Sequence, residues 1–171
     1  AMAGVVAQAG AGLVVMHSRG TVATMASHEE AEYGGDVVGG VIAELRQAVE
    51  RATVAGVSTD RIVVDPGFVF SKTADQNILL ADQLPALHAL GRPILVGPSR
   101  KRFLGAVTGR DLPDRDRATA AFCAHLRELL YVPVAPLELG DALDTRAVPA
   151  LADADVLSRH LCAIGAALRD D

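Results

Sequence analysis

Ile62-Val63-Val64-Asp65-Pro66-Gly67-Phe68-Val69-Phe70-Ser71-Lys72-Thr73 is the stretch that decides the fold. Three aliphatic residues without polar alternation read as a strand buried on both faces, the habit of parallel sheets covered by helices. Pro66 and Gly67 then turn the chain. Asp65 is left at the C-terminal end of an apolar strand, where its carboxylate must find a partner.

Two further runs share this character, Gly12 to His17 and Pro93 to Gly97. Between the first two strands, Gly35 to Ala55 carries Val37, Val38, Val41, Ile42, Leu45 and Val49 on one helical stripe, closed by Gly56. Ala74 to Leu90 repeats the pattern and is closed by Gly91. Strand and helix therefore alternate with short links, the signature of right-handed βαβ units, so the expected class is α/β with parallel βα repeats. Helices are also expected over Met2 to Ala9 and over Arg115 to Leu130. Tyr131 to Leu139 reads as a fourth strand that carries Pro133 and Pro136, residues a central strand does not accept, and Ala154 to Arg169 returns to helical spacing. With 171 residues and no linker or repeat, the chain reads as one domain.

Half of the residues are hydrophobic and the formal net charge is -5, with no block of Lys or Arg. Nucleic acid and anionic membranes need clustered positive charge, so neither is an expected partner. No run reaches the ~18 apolar residues of a membrane span, and Ala1 to Ala11 lacks the basic start of a secretory leader. Cys123 and Cys162 have no second Cys or His at metal-ligand spacing and read as reduced thiols. The expectation is a cytoplasmic protein acting on a small molecule.

Chemistry in parallel α/β folds gathers at the C-terminal ends of strands. There the first strand offers Met16, His17, Ser18 and Arg19, the second Asp65, and the third Ser99, Arg100 and Lys101. Two readings fit Asp65: a turn or capping residue in Asp-Pro-Gly, or a carboxylate engaging two adjacent N–H donors, such as an aminopyrimidinone edge. Phe68 and Phe70 are open to core packing or to stacking on a ring. Gly97-Pro98-Ser99-Arg100-Lys101 is open to a solvated basic loop or to a helix start at which backbone N–H groups and two cations meet an anion. His17 fits a hydrogen-bonded core histidine or a catalytic one.

Three strings occur in order: Val-Val-Met-His-Ser-Arg-Gly at 14–20, Asp-Pro-Gly-Phe-Val-Phe-Ser-Lys-Thr at 65–73 with Gln76-Asn77, and Gly-Arg-Pro-Ile-Leu-Val-Gly-Pro-Ser-Arg-Lys-Arg-Phe-Leu-Gly at 91–105. Over about residues 1 to 122 the chain resembles the dihydropteroate synthases of the pterin-binding enzyme family. The resemblance implies a TIM (βα)8 barrel of which this chain holds the C-terminal half, strands five to seven and an eighth at Tyr131 to Leu139, with residues 125–171 a divergent segment. It implies condensation of 6-hydroxymethyl-7,8-dihydropterin diphosphate with p-aminobenzoate, with Mg²⁺ assistance from a ligand outside this chain.

By the same resemblance, Asp65 binds the pterin N–H groups, Lys101 donates to a pterin ring acceptor, Met16 packs on the ring and Phe70 lines the pocket. Ser99 and Arg102 belong to the substrate site, Arg102 at the p-aminobenzoate carboxylate, and Arg19 and Lys72 are further substrate-loop or pocket contacts. Asp65 and Lys101 are the candidate catalytic pair. Val69 stands where the family often has Gly. The string of Arg and His that ends the family's eighth strand has no match here, and the first four strands lie outside this sequence. The isolated chain is therefore expected to be inactive, and to form a homodimer or to pair with a complementary N-terminal half that covers its open strand edges. Two other readings fit the same strings: a methyltetrahydrofolate-binding methyltransferase of the same superfamily, or a non-catalytic remnant that serves as an interaction protein.

Overall fold

The computed structural model describes residues 2–130. The described residues belong to one compact unit. The strand expected over Tyr131 to Leu139 and the helix expected over Ala154 to Arg169 lie outside them.

Helix α1 (Met2–Ala9) leads into strand β1 (Leu13–Met16), and helix α2 (Val37–Val54) follows after a long loop. A 3₁₀ turn at Thr59–Arg61 delivers the chain into strand β2 (Ile62–Asp65). Helix α3 (Ala74–Asp82), a 3₁₀ helix at Leu84–Leu90, helix α4 (Arg102–Thr108) and helix α5 (Arg115–Leu130) complete the order, with a 3₁₀ turn at Leu112–Asp114 before the last. β1 and β2 pair in parallel, Leu13 with Ile62 through Met16 with Asp65. The class is α/β with parallel strands, as the buried aliphatic runs imply.

Two elements depart from expectation for reasons proline supplies. The run Pro93 to Gly97 forms one parallel bridge, Ile94 to Val64, held by the Val64 amide donating to Pro93 O (3.0 Å) and the Leu95 amide to Val64 O (2.8 Å). Pro93 has no N–H to extend the ladder, and Gly97-Pro98 ends it at once. The helix expected over Ala74 to Leu90 is broken at Gln83, because Pro85 cannot continue an α-helical ladder and the chain proceeds as 3₁₀ up to Gly91, which ends it in the left-handed region (φ 61°).

The stripe of α2 buries Val37, Val38, Val41 and Leu45, and Asp36 caps the helix by accepting from the Gly39 amide. Ile62 packs with Ala52 and Val57, joined by Leu13, Val15 and residues of α1. These strand residues point to the helices, so Val14, Met16, Val63 and Asp65 point to the opposite face. A second apolar centre is aromatic: Phe68 stacks on Phe103 (centroids 5.7 Å) and meets Phe122 edge-on (5.5 Å). This settles Phe68 as a core residue.

Phe68 is 1 % exposed, whereas Phe70 is half-buried. Phe68→Ala is expected to cost about 3–5 kcal/mol in urea unfolding, and Phe70→Ala no more than about 1 kcal/mol. Equal losses would show that both rings belong to the core.

Candidate functional site

The parallel register sets Met16 beside Asp65 on the face turned away from α1 and α2, and the His17 amide extends the ladder by donating to Asp65 O (2.8 Å). Beyond Asp65 the chain turns sharply. Gly67 has φ 67°, and a Cβ there would lie 1.9 Å from His17 O, so only glycine fits where the two strand ends cross. Asp65 Oδ1 accepts from the Gly67 amide (2.8 Å), so the turn reading of Asp65 is realised by one carboxylate oxygen. The other has no hydrogen bond among the described residues. Burial pushes the Asp65 carboxyl up, against the Gly67 amide and the charges of Lys101 and Lys72, which pull it down.

Lys101 and Arg102 reach this loop from the neighbouring strand end. Lys101 Nζ donates to Phe68 O (3.3 Å) and lies 4.6 Å from the centre of the Phe70 ring, while Arg102 Nη2 donates to Val69 O (3.4 Å). Burial lowers the Lys101 ammonium, and the Asp65 charge opposes that. The helix expected to open at Ser99 begins instead at Arg102, because Arg100 lies in the left-handed region (φ 51°) and holds the preceding turn apart from it. That conformation is clasped from α5: the Arg100 amide donates to Thr119 Oγ1 (2.9 Å), and Arg115 Nη1 donates to Arg100 O (3.4 Å). Ser99 is exposed in this turn.

Arg19 and Lys72 take part in a different arrangement. Lys72 is completely buried, and its Nζ meets Gly67 O (3.0 Å), Phe70 O (3.0 Å) and His17 Nδ1 (2.9 Å). His17 Nε2 donates to Glu44 Oε2 (3.0 Å), whose carboxylate is gripped by Arg19 through Nη2 (2.5 Å) and Nε (3.0 Å) to Oε1. Arg19 also stacks 3.8 Å from the Tyr33 ring centre and donates to Glu32 O. Burial and the Lys72 charge push the His17 imidazole down to about 4, so it is neutral, and the Glu44 carboxylate opposite Nε2, which can only accept, places its proton on that nitrogen. Burial pushes Lys72 down to about 7.

The structure thus gathers Met16, Asp65, Phe70, Lys101 and Arg102 at one set of strand ends, leaves Ser99 exposed, and holds Arg19 and Lys72 in the polar network adjoining them. Three members of that site went unassigned in the sequence. Glu44 falls three residues after Val41 and seven after Val37, squarely on the apolar stripe of α2, and a carboxylate there demands a cation. Asn77 is buried, accepts from the Val69 amide (2.7 Å) and donates to Thr73 O (2.6 Å). Tyr33 donates to Ser71 O (3.1 Å), a contact across 38 residues that carries no local signal. Among the described residues no group of three or more His, Cys, Asp or Glu side chains could hold a metal ion.

Fold and site together define a parallel α/β protein with charged side chains gathered at its strand ends. The family profile described as "Pterin binding enzyme" matches residues 1–128, and the chain belongs to that family. It is 45% identical over 130 residues to the dihydropteroate synthase of Mycobacterium leprae, an alignment covering 72% of this chain and 45% of that protein. The corresponding protein of Synechocystis is 42% identical over 120 residues, with 70% and 40% covered.

Among solved structures, dihydropteroate synthase from Stenotrophomonas maltophilia aligns with TM-score 0.69 and 34% identity, covering 74% of this chain and 47% of that one. The Thermus thermophilus enzyme in complex with 4-aminobenzoate aligns with TM-score 0.67 and 39% identity (74% and 48%). The Xanthomonas albilineans enzyme in complex with 7,8-dihydropteroate aligns with TM-score 0.65 and 32% identity (74% and 44%). These neighbours imply a TIM-barrel fold, and the chain spans less than half the length of each of these relatives.

Neutral burial of His17 has a consequence for stability. Its value in the unfolded chain is near 6.5 and in the folded chain about 4, so between these the unfolded state binds more protons. The His17 contribution to stability is expected to be full above pH 6.5 and to fall by on the order of 3 kcal/mol as the pH drops through this window. His17→Gln, followed by urea unfolding at a series of pH values, should flatten that slope; an unchanged slope would show that His17 is charged in the folded chain.

A second expectation concerns Val69, a β-branched residue at φ 80°. A left-handed conformation costs a residue with a Cβ about 1–2 kcal/mol, while glycine adds about 0.5–1 kcal/mol of unfolded-state entropy. Val69→Gly should therefore leave the unfolding midpoint unchanged or raise it; a clear fall would mean that the Val69 side chain contributes packing that outweighs the strain.

Proposed function

We propose that this chain carries the pterin-binding side of a dihydropteroate synthase-type site. The observation that carries the reading is the meeting of the Asp65 carboxylate, the Lys101 ammonium and the Phe70 ring beside Met16 at adjoining strand ends. A pterin presents an exocyclic amine and a ring N–H to a carboxylate, and a ring acceptor to a cation. Asp65 has one oxygen committed to its turn and one to offer, and a ligand with two parallel donors competes with the Gly67 amide for the first. Lys101 donates to the ring acceptor, Met16 and Phe70 enclose the flat faces, and Arg102 faces the p-aminobenzoate carboxylate. In barrel terms β1, β2 and the Ile94 segment correspond to strands five, six and seven.

The reaction these groups serve is condensation of 6-hydroxymethyl-7,8-dihydropterin diphosphate with p-aminobenzoate. The carbon–oxygen bond to the diphosphate breaks with its electron pair leaving on oxygen, the arylamine nitrogen bonds to the same methylene, and the amine proton is released with pyrophosphate. No protein nucleophile is required, so catalysis rests on holding both rings in line and on neutralising charge. Asp65 and Lys101 supply the orientation of the pterin. The diphosphate is held by groups beyond the described residues, so the expected property of this chain is pterin binding rather than turnover.

Calorimetric titration of the full chain with 6-hydroxymethylpterin, with light scattering to record the associated species, tests this. Wild type is expected to bind, and Asp65→Ala to weaken binding about 100-fold through loss of paired charge-assisted bonds. A folded wild-type chain that shows no heat of binding would remove the function from this polypeptide.

A further inference from the structure

Lys72 is a cation with nothing to offer a ligand. It is 0 % exposed, and an ammonium has three N–H donors. All three are spent, on Gly67 O, Phe70 O and His17 Nδ1 at 2.9 to 3.0 Å. Two of these acceptors are the carbonyls that bracket the loop between Asp65 and Lys72, and the third joins the loop to β1.

The His17 side of the arrangement closes on itself. His17 passes to Glu44 and Glu44 to Arg19, and the Arg19 backbone returns to the loop through the Ser71 hydroxyl, which donates to Arg19 O (3.0 Å) and accepts from the Arg19 amide (3.0 Å). The loop so enclosed contains Val69 at φ 80° and Ser71 at φ 51°, conformations that L residues hold only when their surroundings fix them.

We propose that Lys72 is the positioning residue of the pterin site: its ammonium draws the Gly67 and Phe70 carbonyls inward to set the loop that presents Asp65 and Phe70, and its charge offsets that of the buried Asp65 carboxylate. The proposal rests on the pterin-binding reading for its function, but its physical content does not. The groups that act on Lys72 are Asp65, Glu44, Arg19 and Lys101, with His17 in direct contact. Lys72 and Asp65 each shift the other toward its charged form, and burial opposes both. Removing either charge is therefore expected to shift the titration of the other.

The experiment uses the full 171-residue chain. In Lys72→Met, the Asp65 carboxyl, followed by carbon NMR, is expected to titrate about one pH unit or more above wild type. The His17 Nδ1 resonance is expected to move as its donor is lost, and affinity for 6-hydroxymethylpterin to fall at least about tenfold. Because the loss of a buried cation from such a network can prevent folding, Asp65→Asn reads the same coupling from the other end: the Lys72 Nζ titration, followed by nitrogen NMR, is expected to shift to lower pH. Unmoved midpoints in the folded variants would overturn the proposal, whether or not the wild type binds pterin. If the midpoints move while wild type shows no pterin affinity, the coupling of Lys72 to Asp65 and its loop stands and the functional reading fails. If wild type and Lys72→Met bind pterin equally with no midpoint displaced, the functional reading stands and the positioning role fails.

Discussion

Burying an ammonium costs several kcal/mol in lost hydration unless every N–H finds an acceptor, and Lys72 meets that demand with two backbone carbonyls and one neutral imidazole. Much else follows. The loop at 67–71 must fold back on itself to bring its carbonyls to one point. His17 must keep its proton on Nε2 so that Nδ1 can accept, and Glu44 is the group that fixes that tautomer. Glu44 in turn needs Arg19, since one half-buried carboxylate beside a neutral histidine would lack a full counter-charge. The order is a chain of alternating needs, cation, neutral ring, anion, cation, and each member is in place because its neighbour would otherwise be unsatisfied.

Backbone strain is distributed in the same way. Val69, Ser71 and Arg100 all adopt positive φ, and each is held by a contact from outside its own turn: Asn77 Oδ1 takes the Val69 amide, Met25 O takes the Ser71 amide, and Thr119 takes the Arg100 amide. The capping box of α3, Thr73 with Gln76, fixes the exit of the first loop immediately after Lys72, and Gln76 also donates to Ala31 O. The loops at the strand ends are thus held by side chains of α2, α3 and α5.

The elements that were legible in the sequence are those whose cause is local. The stripe of α2 and the aliphatic runs of β1 and β2 declare themselves through periodicity, and Gly56 and Gly91 mark stops because they take positive φ. The third strand shrank to a single bridge and the helix after Thr73 broke, since prolines at 93 and 85 remove donors that apolar spacing alone does not register. Asp65 and Lys101 were legible as candidates through their positions at strand ends. What they have around them was not, because Tyr33 to Ser71 and Glu44 to His17 are contacts between loops and helices far apart in sequence. Only Glu44 left a trace, as an acid on an apolar stripe.

The arrangement also explains why one carboxylate can tolerate its position. Asp65 emerges from an apolar strand, and burial by itself would favour the protonated acid, which offers a ligand one acceptor fewer and a competing donor. Two lysines act against that, from different directions and with different freedom. Lys101 is half-buried, makes one long contact to Phe68 O and rests on the Phe70 ring, so few contacts hold it in place. Lys72 has no such freedom, since all its donors are committed. The Asp65 carboxylate therefore lies between two kinds of lysine, one whose few contacts leave it free to move and one whose donors are all committed to the loop and to His17.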